Sequence, residues 1–267
     1  MKKTDILLPF WGDIELFKKT VLSIITQTQK NWRLIISDDA YPSTDQVEFI
    51  KSLNDHRIEY HRQQKNIGIT NNFNFVVQQA TAEFCIVIGC DDVLLPNYLE
   101  RATSKIGEAD FYQPGVDVIN RDGQSYSPIT DRVKKLLRPK AGIYKGEPLA
   151  VSLCRGNWLY FPSILWKTST LKKYSFDSSL SVVQDVNLEL NIITDNGSLC
   201  VDDSITFQYR RYSDSLSSKE KKSGGVRFKE ESAVYNKYSK IFKEIGWKKA
   251  AHASKLRFTS RVNEFLS

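Results

Sequence analysis

Apolar runs of strand length alternate with stretches of helical periodicity along the first hundred positions of the chain. Residues 5–8 form a short, largely apolar strand ended by Pro9. Gly12-Asp13 then opens a helix, with Asp13 as N-cap and Glu15 in the first turn. Ile14, Phe17, Val21, Ile24 and Ile25 fall on one face of it. Residues 33–37 make the next strand, 46–53 a helix, 58–61 a third strand, and Asn66-Ile67-Gly68 a turn before a helix over 71–80. Residues 84–88 are a fourth strand, apolar throughout, as expected of a strand buried on both faces. This order predicts an α/β fold with a mostly parallel central sheet and helices on both faces.

The second half is less regular. Pro96 and Asn97 open a helix to about 106, and 110–114 and 116–120 read as strands, the second ending in a turn at Arg121-Asp122-Gly123. Residues 124–146 are polar and basic, long for a loop, and predict a mobile or substrate-covering segment. Pro148 fits a helix start. Residues 157–163 are rich in aromatics, 167–174 and 185–195 are helical, and 198–201 and 204–211 are strands. A polar linker over 217–225 leads to a tail, 226–267, of one or two basic helices broken near Gly246.

Composition narrows the picture. Hydrophobic residues make up 41% and charged residues 26% of the 267 positions, as in an ordinary globular protein. No apolar run approaches the ~20 residues of a membrane span, and the start of the chain does not read as a signal peptide. The four cysteines show no CxxC spacing and read as reduced thiols of a cytoplasmic protein. The three scattered histidines argue against a zinc site. The net charge of +7 belongs to the tail: 13 Lys/Arg and 5 Asp/Glu lie from Lys219 onward, leaving −1 on the rest. That distribution, and the lack of a nucleic-acid motif, argue against nucleic-acid binding. No G-x-G-x-x-G follows the first strand, which argues against a dinucleotide oxidoreductase.

Two of the strands end on paired carboxylates, Asp38-Asp39 and Asp91-Asp92. The carboxyl ends of strands are where open α/β sheets bind ligands. Two adjacent carboxylates call for a positive partner, a metal ion or a basic side chain. Each pair also reads as solvated or turn-capping residues.

Leu7-Leu8-Pro9-Phe10-Trp11, Leu34 to Asp39, Asn66-Ile67-Gly68 and Ile88-Gly89-Cys90-Asp91-Asp92 with Pro96 recur in register with one family, as do Gln184-Asp185 and Tyr209-Arg210-Arg211. Over about residues 4–217 the chain resembles the family 2 inverting glycosyltransferases of the GT-A fold. The resemblance implies a glycosyltransferase domain over 1–217, with a nucleotide-sugar half (1–96) and an acceptor half (97–217), and a basic, helical extension over 218–267. It implies that Pro9, Phe10 and Trp11 frame the nucleotide base, that Asp39 bonds it, and that Asn66, Gly68 and Asn72 lie near the nucleotide. Arg210 and Arg211 would close over the diphosphate. Adjacent strand residues point to opposite faces, so at most one of the two is expected to reach it.

By the same resemblance Asp91, with Asp92 beside it, would hold a divalent cation, Mn²⁺ or Mg²⁺, and Asp185 would be the general base. A cation neutralises the leaving diphosphate, and a carboxylate must take the proton of a hydroxyl that is a poor nucleophile near neutral pH. Gly89 stands where the family's first D-x-D aspartate is usual, which removes one carboxylate contact. Asp185 also reads as a helix N-cap. Trp158 and Tyr160 read either as core or as a platform on which an acceptor sugar stacks.

The implied activity is inverting transfer of a sugar from a nucleotide-diphospho sugar to a hydroxyl of a glycan or lipid-linked glycan, in surface polysaccharide or glycoconjugate synthesis. The alternative is a nucleotide-sugar-binding partner subunit of a glycan-assembly complex, weakly active or inactive. The expected location is the cytoplasm, peripheral to the inner face of a membrane. Ile241, Phe242, Ile245 and Trp247 among the tail lysines have the composition of an interfacial helix, or of an ordinary solvated one.

Overall fold

The computed structural model describes residues 2–212 and 225–256. Strands β1 (Thr4–Phe10), β2 (Trp32–Asp38), β3 (Ile58–Arg62) and β4 (Phe84–Val87) run parallel in the order β3-β2-β1-β4. Their side chains alternate between two cores. Ile6, Leu8, Phe10, Leu34, Ile36, Phe84 and Ile86 enter one, and Leu7, Ile35, Cys85 and Val87 the other. Burial on both faces is why these strands read as unbroken apolar sequence.

Strand β1 does not stop at Pro9 but runs through it to Phe10. Leu7 O accepts from the N–H of Ile88 at 2.9 Å, so Leu7 and Pro9 turn their backbone groups toward β4. The last pair of that ladder is Leu7 with Val87, and the missing proline N–H therefore costs no ladder bond.

Helices α1 (Ile14–Ile25), α2 (Asp45–Leu53), α3 (Ile69–Gln79) and α4 (Tyr98–Lys105) cover the faces. Asp13 caps α1 as expected, its Oδ1 accepting the N–H groups of Glu15 at 2.9 Å and Leu16 at 3.1 Å. At the strand starts, Asp5 is fully buried and takes a two-pronged bond from Arg33 at 3.0 and 2.8 Å, plus the N–H groups of Thr81 and Ala82. Burial opposes its ionisation, yet these donors hold its carboxyl below the usual range.

Beyond β4 the sheet turns mixed, in the order β4-β8-β6-β9-β5. These strands are β5 (Val93–Leu94), β6 (Phe111–Ile119), β8 (Leu165–Lys167) and β9 (Ser198–Arg210), and β7 (Gly142–Lys145) also pairs with β9. The segments 110–114 and 116–120 are one strand with register shifts around Gly115. A Cβ there would sit 2.6 Å from the carbonyl oxygen of Asp203, so glycine permits the close approach. Likewise 198–201 and 204–211 form the single strand β9. The stretch 124–146, read as a mobile segment, contains helix α5 (Ile129–Leu137) and β7. Helix α6 (Gly146–Arg155) comes next, the helix expected over 167–174 shrinks to α7 (Thr168–Leu171), and α8 (Gln184–Thr194) lies where periodicity placed it.

Helices α9 (Gly225–Glu244) and α10 (Lys248–Leu256) break at Gly246, which adopts φ +82°. Their apolar face packs inward. Val234, Tyr238, Phe242, Ala250 and Ala251 belong to the core, and Ile241 and Trp247 pack against it. Of the residues read as an interfacial face, Ile245 alone is exposed, which corrects that reading for the described part of the tail. The expected boundary at 217/218 lies outside the described residues. No helix of the described residues is long and apolar enough to cross a membrane.

Candidate active site

The carboxyl ends of β1, β2 and β4 lie at one edge of the sheet, and Trp11, Asp39, Asp91 and Asp92 follow them in the chain. Asp39, at the end of β2, is buried. Its Oδ1 accepts the N–H of Ile67 at 2.7 Å and its Oδ2 that of Gly68 at 3.0 Å. The carboxylate thus fixes the loop 66–68. Gly68 sits at φ +83°, where a side chain would be strained, and starts α3. Asn66 accepts from the same Gly68 N–H at 3.1 Å. Asn72 is buried and donates to Ser37 O at 3.0 Å, tying α3 to β2, while its Oδ1 has no partner. Asp38 faces inward and accepts from Tyr41 N, Gln46, Arg62 and the Tyr60 hydroxyl.

Of the three residues expected to frame the base, Pro9 and Phe10 are buried. The Phe10 ring packs against Phe17 at 4.4 Å and Tyr41 at 5.1 Å and is unavailable to a ligand. Trp11 is 41% exposed and meets Tyr41 edge-on at 5.4 Å. Tyr41, which the sequence did not single out, supplies the second aromatic wall. Its signal was position: it lies two residues after the Asp38-Asp39 pair.

Asp91 and Asp92 part company. Asp92 is 1% exposed, and its Oδ1 accepts the backbone N–H of Arg210 at 2.8 Å. Burial, then the charge of Asp91, pushes its carboxyl well above the usual range. Asp91 is half-buried and hydrogen-bonded to the Tyr212 hydroxyl. Burial raises its carboxyl, against the Tyr212 bond and the charge of Arg210. Gly89 leaves room for this arrangement: a Cβ there would lie 2.6 Å from Asp92 Oδ2 and 3.1 Å from Asp91 Oδ1. Among the described residues no cluster of three or more His, Cys, Asp or Glu forms a metal cage. Asp91 offers a single half-buried carboxylate; Mg²⁺ sites in general use one or two carboxylates together with substrate phosphates.

Arg210 and Arg211 point apart, as adjacent strand positions must. Arg210 is 4% exposed and donates to Asp91 O at 2.7 Å and to Asn120 O and Arg121 O at 2.9 and 2.8 Å. It locks the 120–121 turn to the end of β4. In that turn Arg121, also missed, pairs with Asp13 at 2.5 Å and lies over the Tyr212 ring at 5.5 Å. Arg211 turns the other way and pairs with Asp131 of α5 at 2.9 Å.

Helix α5 covers the second part of the site. Asp131 is buried and accepts from the Tyr160 hydroxyl at 2.8 Å. Lys134 lies 4.3 Å from the Tyr160 ring centroid and donates to Leu159 O at 2.6 Å. Burial, then the charge of Arg211, pushes the Lys134 ammonium down to about 8, while Asp131, Asp185 and Glu189 pull it back. Asp185 sits in the first turn of α8 but is not its N-cap. That position is Val183, and Asp185 Oδ1 accepts the N–H of Val186 at 2.8 Å. Burial raises its carboxyl, offset by the Val186 bond and by Lys134 and Arg227. Trp158 is 1% exposed and donates to the Ser152 hydroxyl, so it is core and not an acceptor platform. Tyr160 is half-buried within the site.

The exposed Trp11 with Tyr41, the loop held by Asp39 and the half-buried Asp91 thus lie beyond the carboxyl ends of the parallel strands. The family model of Glycosyl transferase family 2 matches residues 5–169, more than half of the chain, and the chain belongs to that family. It is 24% identical over 198 residues to the uncharacterized glycosyltransferase MJ1057 of Methanocaldococcus jannaschii, covering 72% of this chain and 65% of that one. It is 30% identical over 126 residues to the GalNAc(5)-diNAcBac-PP-undecaprenol beta-1,3-glucosyltransferase of Campylobacter jejuni, covering 46% and 40%. The chain thus spans less than two thirds of either relative. Among solved structures, Staphylococcus aureus TarS 1-349 superposes with a TM-score of 0.73 at 15% identity, over 98% of this chain and 74% of that one. The likeness establishes the GT-A fold.

Proposed function

We propose that this protein is an inverting glycosyltransferase. It moves a sugar from a nucleotide-diphospho sugar to a hydroxyl of a glycan or lipid-linked glycan, in surface polysaccharide or glycoconjugate synthesis. The observation that carries the reading is the end of β9. Arg210 binds the Asp91 side and Arg211 the α5 side, so two consecutive residues link the two carboxyl sites. Relatives support the choice of substrates. The Campylobacter jejuni enzyme is named for an undecaprenol-diphosphate acceptor, and TarS has been solved with UDP-GlcNAc.

The nucleotide base stacks on Trp11 beside Tyr41, and the loop held by Asp39 cradles the nucleotide with Asn66, Gly68 and Asn72. Arg210 acts by holding Asp91 and the 120–121 turn. Asp91 would hold Mn²⁺ or Mg²⁺, which would supply positive charge to offset that of the leaving diphosphate. The acceptor hydroxyl lies at Asp185. Its oxygen bonds to the anomeric carbon, the bond from that carbon to the diphosphate oxygen breaks with its electron pair, and the hydroxyl proton goes to Asp185. Attack opposite the leaving group inverts the centre. A lipid-linked acceptor would bring the protein to the inner face of a membrane.

The test is isothermal titration with a panel of nucleoside diphosphates with and without Mn²⁺, followed by product mass spectrometry with the donor that binds. Metal-dependent binding and a glycosylated product are expected, with Asp185→Asn abolishing transfer and sparing donor binding. Binding of no donor would sink the proposal, and undiminished turnover by the variant would clear Asp185 of the base role.

A further inference from the structure

Glu189 lies one helical turn beyond Asp185, on the same face of α8. It is 1% exposed, and no ion pair within 4.0 Å holds it among the described residues. Its Oε2 accepts a long bond from Asn157 Nδ2 at 3.2 Å, and its Oε1 has no partner. An ionised carboxylate with a bare oxygen in the interior is costly. A neutral carboxylic acid is far less so.

The surroundings point the same way. Two carboxyls on adjacent turns repel when both are ionised. Lys134 attracts both, but its ammonium donates to Leu159 O. Asp131 and Arg211 are committed to each other. From α9, Arg227 faces Asp185 but pairs with Glu231 at 2.9 Å, and the buried Tyr235 adds no positive charge. One cation facing two carboxyls leaves the group balanced when the pair carries a single proton.

We propose that Glu189 is a positioning residue of the acceptor-activating site: it stays protonated, so that Asp185 is the ionised member of the pair that receives the acceptor's proton. The proposal rests on the reading of Asp185 as base. Burial and the Asp185 charge, which push the Glu189 carboxyl well above the usual range, accord with it. The sequence hides this residue, because a Glu at a turn's spacing from Asp185 reads as a solvated helix face.

Glu189→Gln fixes the shape of the neutral acid and gives the test. Folding of the wild type takes up a proton at Glu189, so its folding equilibrium weakens relative to the variant by up to about tenfold per pH unit above the unfolded carboxyl pKa. Urea unfolding from pH 5 to pH 8 is expected to show Glu189→Gln gaining on the wild type as pH rises. The infrared difference between the two proteins at pH 7 is expected to contain the C=O stretch of a carboxylic acid. In transfer assays Glu189→Ala lowers kcat with donor Kd unchanged, and Glu189→Gln restores it. A variant less stable than wild type at every pH, or a carboxylate band in the difference spectrum, would show an ionised structural glutamate and overturn the proposal. Loss of transfer in a folded Glu189→Gln protein would do the same. Unfolding and spectra need no turnover, so they report on Glu189 even if the transferase reading fails.

Discussion

Asp92 Oδ1 accepts the backbone N–H of Arg210 at 2.8 Å, which fastens the loop between β4 and β5 to the end of β9. The bond extends the pairing of β5 with β9, which starts at Val93 and Gln208. The bond brings a residue 118 positions away to the floor of the candidate site and turns one member of the Asp pair away from ligands.

The two aspartates should therefore separate in mutagenesis. Asp92→Ala leaves a buried N–H without an acceptor, at a cost of about 1–3 kcal/mol. Asp91→Ala frees only the hydroxyl of the half-buried Tyr212, which water can satisfy, and should change stability little while weakening metal-dependent donor binding. Urea denaturation and titration calorimetry of both variants check the contrast, and a destabilised Asp91→Ala with intact donor binding would reverse the assignment.

Restoring the family's usual aspartate at position 89 should harm the protein. A Cβ at Gly89 would meet Asp92 Oδ2 at 2.6 Å, and the new carboxylate would join two others. Displacing Asp92 from Arg210 is expected to cost about 1–3 kcal/mol. Thermal melts of Gly89→Asp should show a lower Tm, and an unchanged Tm would mean that Asp92 relocates freely.

Trp11→Ala should leave the fold intact, because the ring is 41% exposed, and weaken binding of the nucleotide. Aromatic stacking on a base contributes about 1–3 kcal/mol, so a loss of roughly tenfold in Kd is expected by calorimetry. Phe10→Leu, a core change, should alter stability and not nucleotide affinity.

Asp5 gives a pH signature of stability. Its folded carboxyl is held below the ordinary value of 3.8 by Arg33 and two N–H groups, against burial. Its contribution is present above the unfolded pKa and is lost as pH falls through the lower folded value. Asp5→Asn should cost about 3–5 kcal/mol near neutral pH by leaving Arg33 without its partner. The gap from wild type should narrow below about pH 4, as read by denaturation at pH 7 and pH 3. A gap independent of pH would remove the ionic contribution.

Much of the first half was legible without coordinates. The apolar runs at β1, β2 and β4 are long and uninterrupted because those strands are covered on both faces, and burial on both faces leaves its mark in every residue. Asp13 as helix cap and Gly68 as a turn are local events, decided within a few residues. The helix α5 was missed because its exposed and its inward positions both mix polar and apolar residues. Ile129 and Leu136 are exposed, while Asp131 and Lys134 face the site. Binary patterning assigns such a segment to a loop.

The family, the α/β order and the two carboxylate-tipped strands could be read from the chain alone, because they rest on patterns that repeat along it. Which carboxylates are buried and paired was settled by packing in three dimensions. Asp91 and Asp92 are adjacent and chemically identical, and the difference between them is set by the N–H of Arg210 on a remote strand. Phe10 and Trp11 are likewise neighbours, one packed on Phe17 and the other exposed. Exposure and pairing of this kind depend on elements far apart in the chain, and no local pattern encodes them.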